Sequence, residues 1–235
     1  MTSPRLWAVV PAAGSGRRFG GSTPKQYLKI YNQPIMLHSI NRLFVLPLSG
    51  CIIAISSDDQ LAPTLDYQHP SRLHFVTGGT ERMDSVLAGL DYLQDLAAPD
   101  DWVLVHDVAR PCVAIESLHK LHETIVDDTV GGILAIPVRD TLKKAHDGHI
   151  TDTVSRDHLW QAQTPQMFRF DVLHKALSAA KQQNFQVTDE ASAVELAGYS
   201  VKLVEGRMDN IKVTYRDDLA LAEVILQVQG FLSLP

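Results

Sequence analysis

Residues 9–26 read Val-Val-Pro-Ala-Ala-Gly-Ser-Gly-Arg-Arg-Phe-Gly-Gly-Ser-Thr-Pro-Lys-Gln, and they continue directly from the apolar run Leu6–Val10. The run has the length and composition of a short buried strand, and the small residues after it indicate a loop. Gly14 and Gly16 have no Cβ, so the backbone amides of this loop can approach an anion closely. The segment therefore predicts an anion-binding loop at the end of the first strand.

Positive side chains are concentrated in the same loop. Arg17, Arg18 and Lys25 lie within nine consecutive positions, and Pro24 restricts the chain just before Lys25. A solvated surface loop would explain any one of these residues equally well. Cations and glycines together after a buried strand favour phosphate binding.

The two best-known phosphate loops do not fit this segment. The spacing Gly-x-x-x-x-Gly-Lys-Ser/Thr occurs nowhere in the chain, which excludes a Walker A loop. The dinucleotide fingerprint needs a third glycine where Phe19 stands and an acidic residue where Met36 and Leu37 stand, so an NAD-dependent oxidoreductase is disfavoured. The loop therefore belongs to another class of phosphate-binding protein.

Composition limits the classes of protein that need to be considered. The chain has 235 residues, is 45% hydrophobic and carries a formal net charge of −6. We expect one domain over residues 1–235, with no broad basic face for nucleic acid and a small anionic ligand at the cationic loop. Cys51 and Cys112 lie far apart in the sequence, which favours a reducing compartment. No segment approaches eighteen apolar residues, so we expect a cytoplasmic enzyme without a membrane partner.

Predicted strands and helices alternate along the chain. Such alternation predicts an α/β fold in three layers, with a mainly parallel sheet, helices on both faces and ligands at the carboxyl ends of the strands. The first loop, residues 78–85 and residues 106–111 all follow predicted strands and should share that edge. The predicted strands are residues 6–10, 51–55, 73–77, 102–105, 132–138 and 201–204, and the predicted helices are 35–46, 85–96, 115–126, 170–182, 189–197 and 217–228.

A polar segment interrupts this rhythm at about residues 139–158. Residues 141–145 and 149–154 flank Asp147-Gly148, a dipeptide favoured in two-residue hairpin turns. The pattern predicts a β-hairpin arm that projects from the body. Because an isolated hairpin is marginally stable, we expect the arm to pack on a second copy of the chain and form a homodimer.

Two later segments carry residues suited to phosphoryl chemistry. Asp107 follows a predicted strand and can hold a divalent cation against phosphate oxygens, although it can also cap a turn or pair with Arg110. Asp209 and Lys212 follow the last predicted strand. Two carboxylates and several cations at one edge favour metal-assisted phosphoryl or nucleotidyl transfer, which needs no nucleophilic side chain. His106 is placed to orient Asp107.

Collinear motifs occur over nearly the whole chain. They are Pro11-Ala12-Ala13-Gly14-x-Gly16-x-Arg18 with Pro24-Lys25-Gln26, Glu81-Arg82-x-Asp84-Ser85-Val86, His106-Asp107-x-Ala109-Arg110-Pro111, Pro137-Val138-x-Asp140-Thr141, Thr164-Pro165-Gln166-x-Phe168, Thr188-Asp189-Glu190-Ala191-Ser192 and Glu205-Gly206-Arg207-x-Asp209-Asn210-Ile211-Lys212. The first motif is shared by many sugar-phosphate nucleotidyltransferases, whereas the full set is specific. Together the motifs resemble one enzyme family, the 2-C-methyl-D-erythritol 4-phosphate cytidylyltransferases.

The resemblance implies a reaction and a set of site residues. The phosphate of methylerythritol phosphate would attack the α-phosphorus of CTP, with Mg²⁺ as cofactor and pyrophosphate as leaving group, in non-mevalonate isoprenoid precursor biosynthesis. The resemblance implies Arg18, Lys25, Arg156 and Lys212 as catalytic residues; Ala12, Ala13, Gly14, Gly16, Gly79, Thr80 and Ser85 at the nucleotide; Arg110, Thr141, Arg156, Thr188 and Lys212 at the acceptor; and Asp107 and Asp209 at the metal.

The resemblance also gives the arm a purpose, because Thr141 and Arg156 would serve the active site of the neighbouring subunit. Three points stay open from sequence. Either Arg17 or Arg18 can contact phosphate, and ribitol 5-phosphate is an alternative acceptor for a cytidylyltransferase of this kind. A catalytically silent nucleotide-binding protein of the same fold is the third alternative.

Overall fold

A computed structural model describes residues 3–14 and 24–230 of the chain. No helix in these two ranges is both long enough and apolar enough to cross a bilayer. Short 3₁₀ helices occur at Lys25–Tyr27, Ala62–Thr64 and Pro70–Arg72. The strands are β1 Leu6–Pro11, β2 Lys29–Ile30, β3 Gln33–Pro34, β4 Leu48–Ile55, β5 Leu73–Thr77, β6 Trp102–Val105, β7 Gly131–Pro137, β8 Leu142–His146, β9 His149–Val154, β10 Trp160–Arg169 and β11 Lys202–Glu205; the helices are α1 Ile35–Leu43, α2 Arg82–Leu93, α3 Ile115–Ile125, α4 Phe170–Gln182, α5 Glu190–Leu196 and α6 Arg216–Val228.

Seven of these strands form one central sheet in the order β11-β7-β10-β6-β1-β4-β5. The pairs β1–β4, β1–β6, β4–β5 and β7–β11 are parallel, which confirms the predicted mainly parallel sheet. β10 runs antiparallel to both β6 and β7. The sequence did not predict β10, because Pro165 and several polar residues interrupt its apolar pattern.

Helices cover both faces of the sheet, as the alternation predicted. α1 and α3 pack on one face through residues such as Ile40 and Leu121. α2, α4 and α5 pack on the other face through residues such as Leu90 and Leu173. α6 lies over a smaller cluster that includes Ile30 and residues next to the predicted site. The three layers leave the carboxyl edge of the parallel strands as the place for a ligand.

α2 begins three residues before the predicted start at Ser85. The reason is a capping box, in which the side chain of Glu81 accepts from the backbone of Asp84 and the side chain of Asp84 accepts from the backbone of Glu81. These two bonds satisfy amides that would otherwise lack partners in the first turn. The earlier start places Arg82 at the first helical position, beside the ends of β5 and β6.

The predicted hairpin arm is present as the two-stranded antiparallel sheet β8–β9. Asp147 and Gly148 form its turn with φ values of 48° and 76°, the left-handed conformation that the Asp-Gly pair predicted. At its base, Val138 donates its N–H to the carbonyl of Leu159 at 2.9 Å. Almost every arm residue is exposed, and the side chain of Ile150 is 67% exposed. The arm is therefore an extension of the β7–β10 pair that its own chain leaves uncovered.

Candidate active site

A cavity of about 320 Å³ lies at the carboxyl edge of the parallel strands. Segments that follow β1, β5 and β6 form its walls, and the segment around Lys212 closes it. The shared edge predicted for these loops is therefore observed. Its lining residues are Pro11, Ala12, Ala13, Gly14, Lys25, Gln26, Gly79, Thr80, Glu81, Arg82, Ser85, Asp107, Val108, Ala109, Lys212 and Thr214.

Close backbone packing shapes the wall that follows β5. A Cβ on Gly79 would stand 2.2 Å from the Cβ of Asp84, and a Cβ on Gly78 would stand 2.7 Å from the Cβ of Ala13. Neither position accepts a larger residue without movement of the backbone. Ser85 fixes this wall through its hydroxyl oxygen, which accepts the N–H of Gly79 at 3.2 Å. Small residues therefore keep space and backbone groups available to a flat ligand such as a base.

Lys25 also lines the cavity. It begins a 3₁₀ helix directly after Pro24, and its Nζ donates to the carbonyl of Val213 at 3.4 Å. The next residue, Gln26, is buried and donates its amide to the carbonyl of Ala12 at 3.1 Å. This bond ties the Lys25 segment to the end of β1.

Asp107 lies at the floor of the cavity, and cations contact both of its carboxylate oxygens. Arg82 Nε is 2.8 Å from Oδ1, and Lys212 Nζ is 2.7 Å from Oδ2. Arg110 Nε is more distant, at 3.9 Å from Oδ2. Burial alone would raise the pKa of Asp107, but attraction to Arg82 and then to Lys212 outweighs burial and holds this pKa well below its usual range. Asp107 is therefore a carboxylate at any physiological pH.

A second carboxylate holds the other side of the Arg82 guanidinium. Glu190, at the start of α5, is only 1% exposed, and its two oxygens accept from Arg82 Nη1 at 2.6 Å and from Nη2 at 3.0 Å. The two-point contact with Glu190 restricts the guanidinium far more than a single bond would. Arg82 thus joins the carboxylate at the end of β6 to the beginning of α5.

His106 and Thr164 hold the backbone of Asp107. The N–H of Asp107 donates to Thr164 Oγ1 at 3.0 Å, and Thr164 Oγ1 lies 3.1 Å from His106 Nδ1. Burial lowers the pKa of His106 to about 4, so its ring is neutral at pH 7. Since His106 Nε2 faces the carbonyl of Arg110 at 3.1 Å, Nε2 carries the hydrogen and Nδ1 accepts from the Thr164 hydroxyl. His106 therefore orients Asp107 as predicted, but through Thr164.

Of the predicted site residues that the structure describes, five do not line the cavity. Asp209 is held by Arg207 at 2.6 Å and by the amide of Gln229 at 3.1 Å. The predicted metal role of Asp209 has no support from this geometry and stays a prediction. Arg110 donates to the carbonyl of Asn210 at 2.6 Å, which ties together the loops that carry Asp107 and Lys212.

The other three residues are exposed on neighbouring elements. Thr188 stands just before α5, and its N–H donates to Ser192 Oγ at 3.2 Å. Thr141 and Arg156 stand at the base of the arm, where Arg156 donates to the carbonyl of Arg139. Gly16, Arg17 and Arg18 lie outside the described residues.

A divalent cation would meet a sparse set of protein ligands here. Within residues 3–14 and 24–230, no cluster of three or more His, Cys, Asp or Glu side chains is placed to hold a metal ion. Asp107 is ionised and lines the cavity. Mg²⁺ is commonly bound through one or two carboxylates and the phosphates of the substrate, with waters completing the shell. The donor set therefore fits Mg²⁺ that arrives with a nucleotide.

The contacts of three residues of this site were not predicted. Arg82 and Glu190 were quoted in motifs without a role, and Thr164 belongs to a motif that was expected to favour methylerythritol phosphate over ribitol phosphate. Spacing does not predict their contacts, because these join segments that are distant in sequence. One sequence feature could have pointed to these contacts. Glu190 is a charged residue at the start of a short helix whose other residues are largely apolar. Its complete burial was not visible in the sequence.

A cavity at the carboxyl edge of a mainly parallel sheet, lined by Lys25, Lys212 and the ionised Asp107, fits a nucleotidyltransferase. The family model described as 2-C-methyl-D-erythritol 4-phosphate cytidylyltransferase (IspD) matches residues 6–228. The chain belongs to this family.

Individual relatives agree with the family match. The chain is 51% identical over 227 residues to the 2-C-methyl-D-erythritol 4-phosphate cytidylyltransferase of Acinetobacter baumannii, which covers 96% of this chain and 95% of the relative. A crystal structure of 4-diphosphocytidyl-2C-methyl-D-erythritol synthase superposes with a TM-score of 0.84 at 35% identity, covering 96% of this chain and all of the other. The Francisella tularensis 2-C-methyl-D-erythritol 4-phosphate cytidylyltransferase gives a TM-score of 0.82 at 36% identity, covering 94% of this chain and 100% of the other.

Proposed function

We propose that the chain transfers the cytidylyl group of CTP to 2-C-methyl-D-erythritol 4-phosphate, giving 4-diphosphocytidyl-2-C-methyl-D-erythritol and pyrophosphate in isoprenoid biosynthesis. The observation that carries this proposal is the cavity that joins Lys25, Asp107 and Lys212 in a chain that belongs to this family. In this reaction, an oxygen of the acceptor phosphate forms a bond to the α-phosphorus of CTP. The bond from the α-phosphorus to the β-phosphate oxygen breaks, and pyrophosphate leaves. Two buried free thiols are compatible with action in the cytoplasm.

The nucleotide would occupy the wall built by small residues. Gly79, Thr80 and Ser85 would face the base and ribose together with Ala12 and Ala13, because their small side chains expose backbone groups that can bind the edge of a base. The loop amides at Gly14 and Gly16 and the side chain of Arg18 would contact the phosphates. Lys25 would neutralise the charge that builds up on the α-phosphate and the leaving group, an electrostatic contribution that is commonly the largest in such catalysis.

We propose Mg²⁺ as the cofactor, held by Asp107 and the phosphates of CTP. A bound Mg²⁺ would supply charge neutralisation and alignment of the phosphate oxygens. The contribution of the chain is a carboxylate that stays ionised and is fixed in place, since Arg82 holds Oδ1 and Thr164 holds the backbone N–H. Asp209 would reach this metal only if its contacts with Arg207 were broken.

The acceptor would bind between Lys212 and Thr188 of one subunit and the arm of another. Lys212 would contact the acceptor phosphate, and Arg110 would support it by holding the loop at Asn210. Thr141 and Arg156 are exposed on an arm that its own chain leaves uncovered, which fits a role in a homodimer. The single domain predicted from sequence would then include an arm that completes the site of the partner.

Pyrophosphate release by the purified protein tests this function. CTP and Mg²⁺ would be offered with methylerythritol phosphate or ribitol 5-phosphate separately, and ATP, GTP and UTP would replace CTP as controls. We expect turnover with CTP and methylerythritol phosphate alone. Turnover only with ribitol phosphate would overturn the acceptor assignment, and CTP binding without any turnover would favour a silent nucleotide-binding protein.

The role of Lys25 can be tested in the same assay. We expect Lys25→Ala to lower kcat far more than it weakens CTP binding, because the ammonium acts on charge that develops during the reaction. Lys29→Ala removes an exposed lysine of β2 and serves as the matched control. An equal loss of kcat and of CTP affinity in Lys25→Ala would contradict a role specific to the transition state.

A further inference from the structure

The two closest cationic partners of Asp107 differ greatly in mobility. Arg82 on Oδ1 is held on its other side by both oxygens of Glu190. Lys212 on Oδ2 reaches from an irregular segment, and its side chain is 37% exposed. Among the described residues, Asp107 is the one hydrogen-bonding and ionic partner of the Lys212 ammonium. One counterion of the carboxylate is therefore fixed and the other is free to leave.

A divalent cation on Oδ2 would lie close to the ammonium that stands 2.7 Å from that atom. The two positive groups would repel each other at such short range, so each weakens the binding of the other to Oδ2. Arg82 can stay, because it occupies Oδ1 and is restrained by Glu190. Lys212 can move, because a lysine is a point charge on a flexible stem that forms no fixed two-point contact.

We propose that Lys212 is an exchangeable counterion of Asp107, which metal binding displaces and thereby makes available to the phosphate of the acceptor. This inference rests on the proposed function, in which Asp107 holds the metal and Lys212 meets the acceptor phosphate. In the ligand-free protein, Lys212 compensates the charge of a carboxylate whose side chain is 9% exposed. Metal binding frees Lys212 for the acceptor phosphate, and acceptor binding frees the Asp107 carboxylate for the metal. Each ligand therefore raises the affinity for the other.

Metal binding to the ligand-free protein tests the exchange without turnover. The probe is Mn²⁺, and the free ion is measured by electron paramagnetic resonance. Lys212→Met removes the competing ammonium, and we expect it to bind Mn²⁺ roughly tenfold more tightly than the wild-type chain, as close charge pairs commonly couple by this much or more. The matched control is Lys202→Met, which removes a lysine of β11 that lies outside the cavity and whose Nζ is 2.8 Å from Asp128 Oδ2. The control should bind Mn²⁺ as the wild type does.

Asp107→Asn separates failure of the exchange from failure of the metal assignment. In the Lys212→Met background, Asp107→Asn should abolish the tenfold gain. If Lys212→Met binds Mn²⁺ no more tightly than wild type while Asp107→Asn still weakens binding, the exchange is wrong and the metal assignment stands. If Asp107→Asn leaves Mn²⁺ binding unchanged in both backgrounds, Asp107 is not the metal ligand and the proposed function loses its metal site.

Addition of methylerythritol phosphate gives a second readout. The acceptor should draw Lys212 away from Asp107 in the wild-type chain and bring its Mn²⁺ affinity towards that of Lys212→Met. The affinity of Lys212→Met itself should change by less than about twofold, since the ammonium is absent. An equal effect of the acceptor on both chains would overturn the coupling through Lys212.

Discussion

Glu190→Gln is the most direct test of how the floor of the site is held together. The substitution keeps the shape of the side chain but removes the charge of a carboxylate that is 1% exposed. The two carboxylate oxygens accept hydrogen bonds from Arg82 at 2.6 and 3.0 Å. The substitution replaces one of them by an NH₂ group, which cannot accept a hydrogen bond. Removing one partner of a buried ion pair costs about 3 to 5 kcal/mol.

The lower end of that range applies here, because Arg82 keeps its bond to Asp107 at 2.8 Å. We expect a loss of about 3 kcal/mol in the free energy of unfolding, which corresponds to a fall of about 6 to 12 °C in Tm for a chain of this size. Urea unfolding and thermal unfolding would measure the two quantities.

Glu195→Gln is the matched control, because Glu195 lies exposed on the same helix α5. It should change the free energy of unfolding by less than about 0.5 kcal/mol. The double variant Arg82→Met with Glu190→Gln should lose less than the sum of the two single losses, because either single variant already breaks the Arg82–Glu190 contact. A Glu190→Gln protein as stable as Glu195→Gln would refute the argument that this pair fixes Arg82.

Three further outcomes follow from other parts of the structure. Gly79→Ala would place a Cβ 2.2 Å from the Cβ of Asp84, so we expect the KM for CTP to rise roughly tenfold in steady-state assays; an unchanged KM would show that the nucleotide avoids this wall. Burial opposes ionisation of Asp101, but hydrogen bonds from backbone amides lower its pKa, so wild-type stability should fall as pH drops below about 4. Urea unfolding measured from pH 7 to pH 3 should show a smaller loss of stability in Asp101→Asn than in the wild type. Equal losses in the two proteins would contradict this prediction. Arg156→Ala and Lys212→Ala should each be inactive, and refolding them together should restore about a quarter of wild-type activity if subunits share sites; no recovery would exclude sharing.

The elements that the sequence predicted well are those with uninterrupted apolar patterns. β5, β6 and α4 have the predicted bounds, because a buried run or a helical face continues to each end. β10 was missed because its buried half contains Gln163, Thr164 and Gln166, which satisfy their polar groups through distant partners. Sequence periodicity carries no information about such partners.

For the site, too, the sequence predicted the positions of the loops but not the contacts between distant residues. Loops after parallel strands were predicted to meet, and the cavity contains Lys25, Asp107 and Lys212 as expected. Contacts inside the site could not be predicted, because Arg82 reaches Glu190 across 108 positions of sequence. The predicted acceptor residues Thr141 and Arg156 stand away from the cavity of their own chain, and their predicted role would require a second copy of the chain.

β10 has a consequence for engineering and for natural length variation. It emerges from the arm at Trp160 and, four residues later, presents Thr164 to the backbone of Asp107. An added residue between these two positions would move Thr164 along the strand by about 3.3 Å and out of line with the backbone of Asp107. The tip at Asp147-Gly148 has no such constraint within its own chain, because it is exposed. Of the two, only the strand that leaves the arm must keep its length to preserve the contact with Asp107.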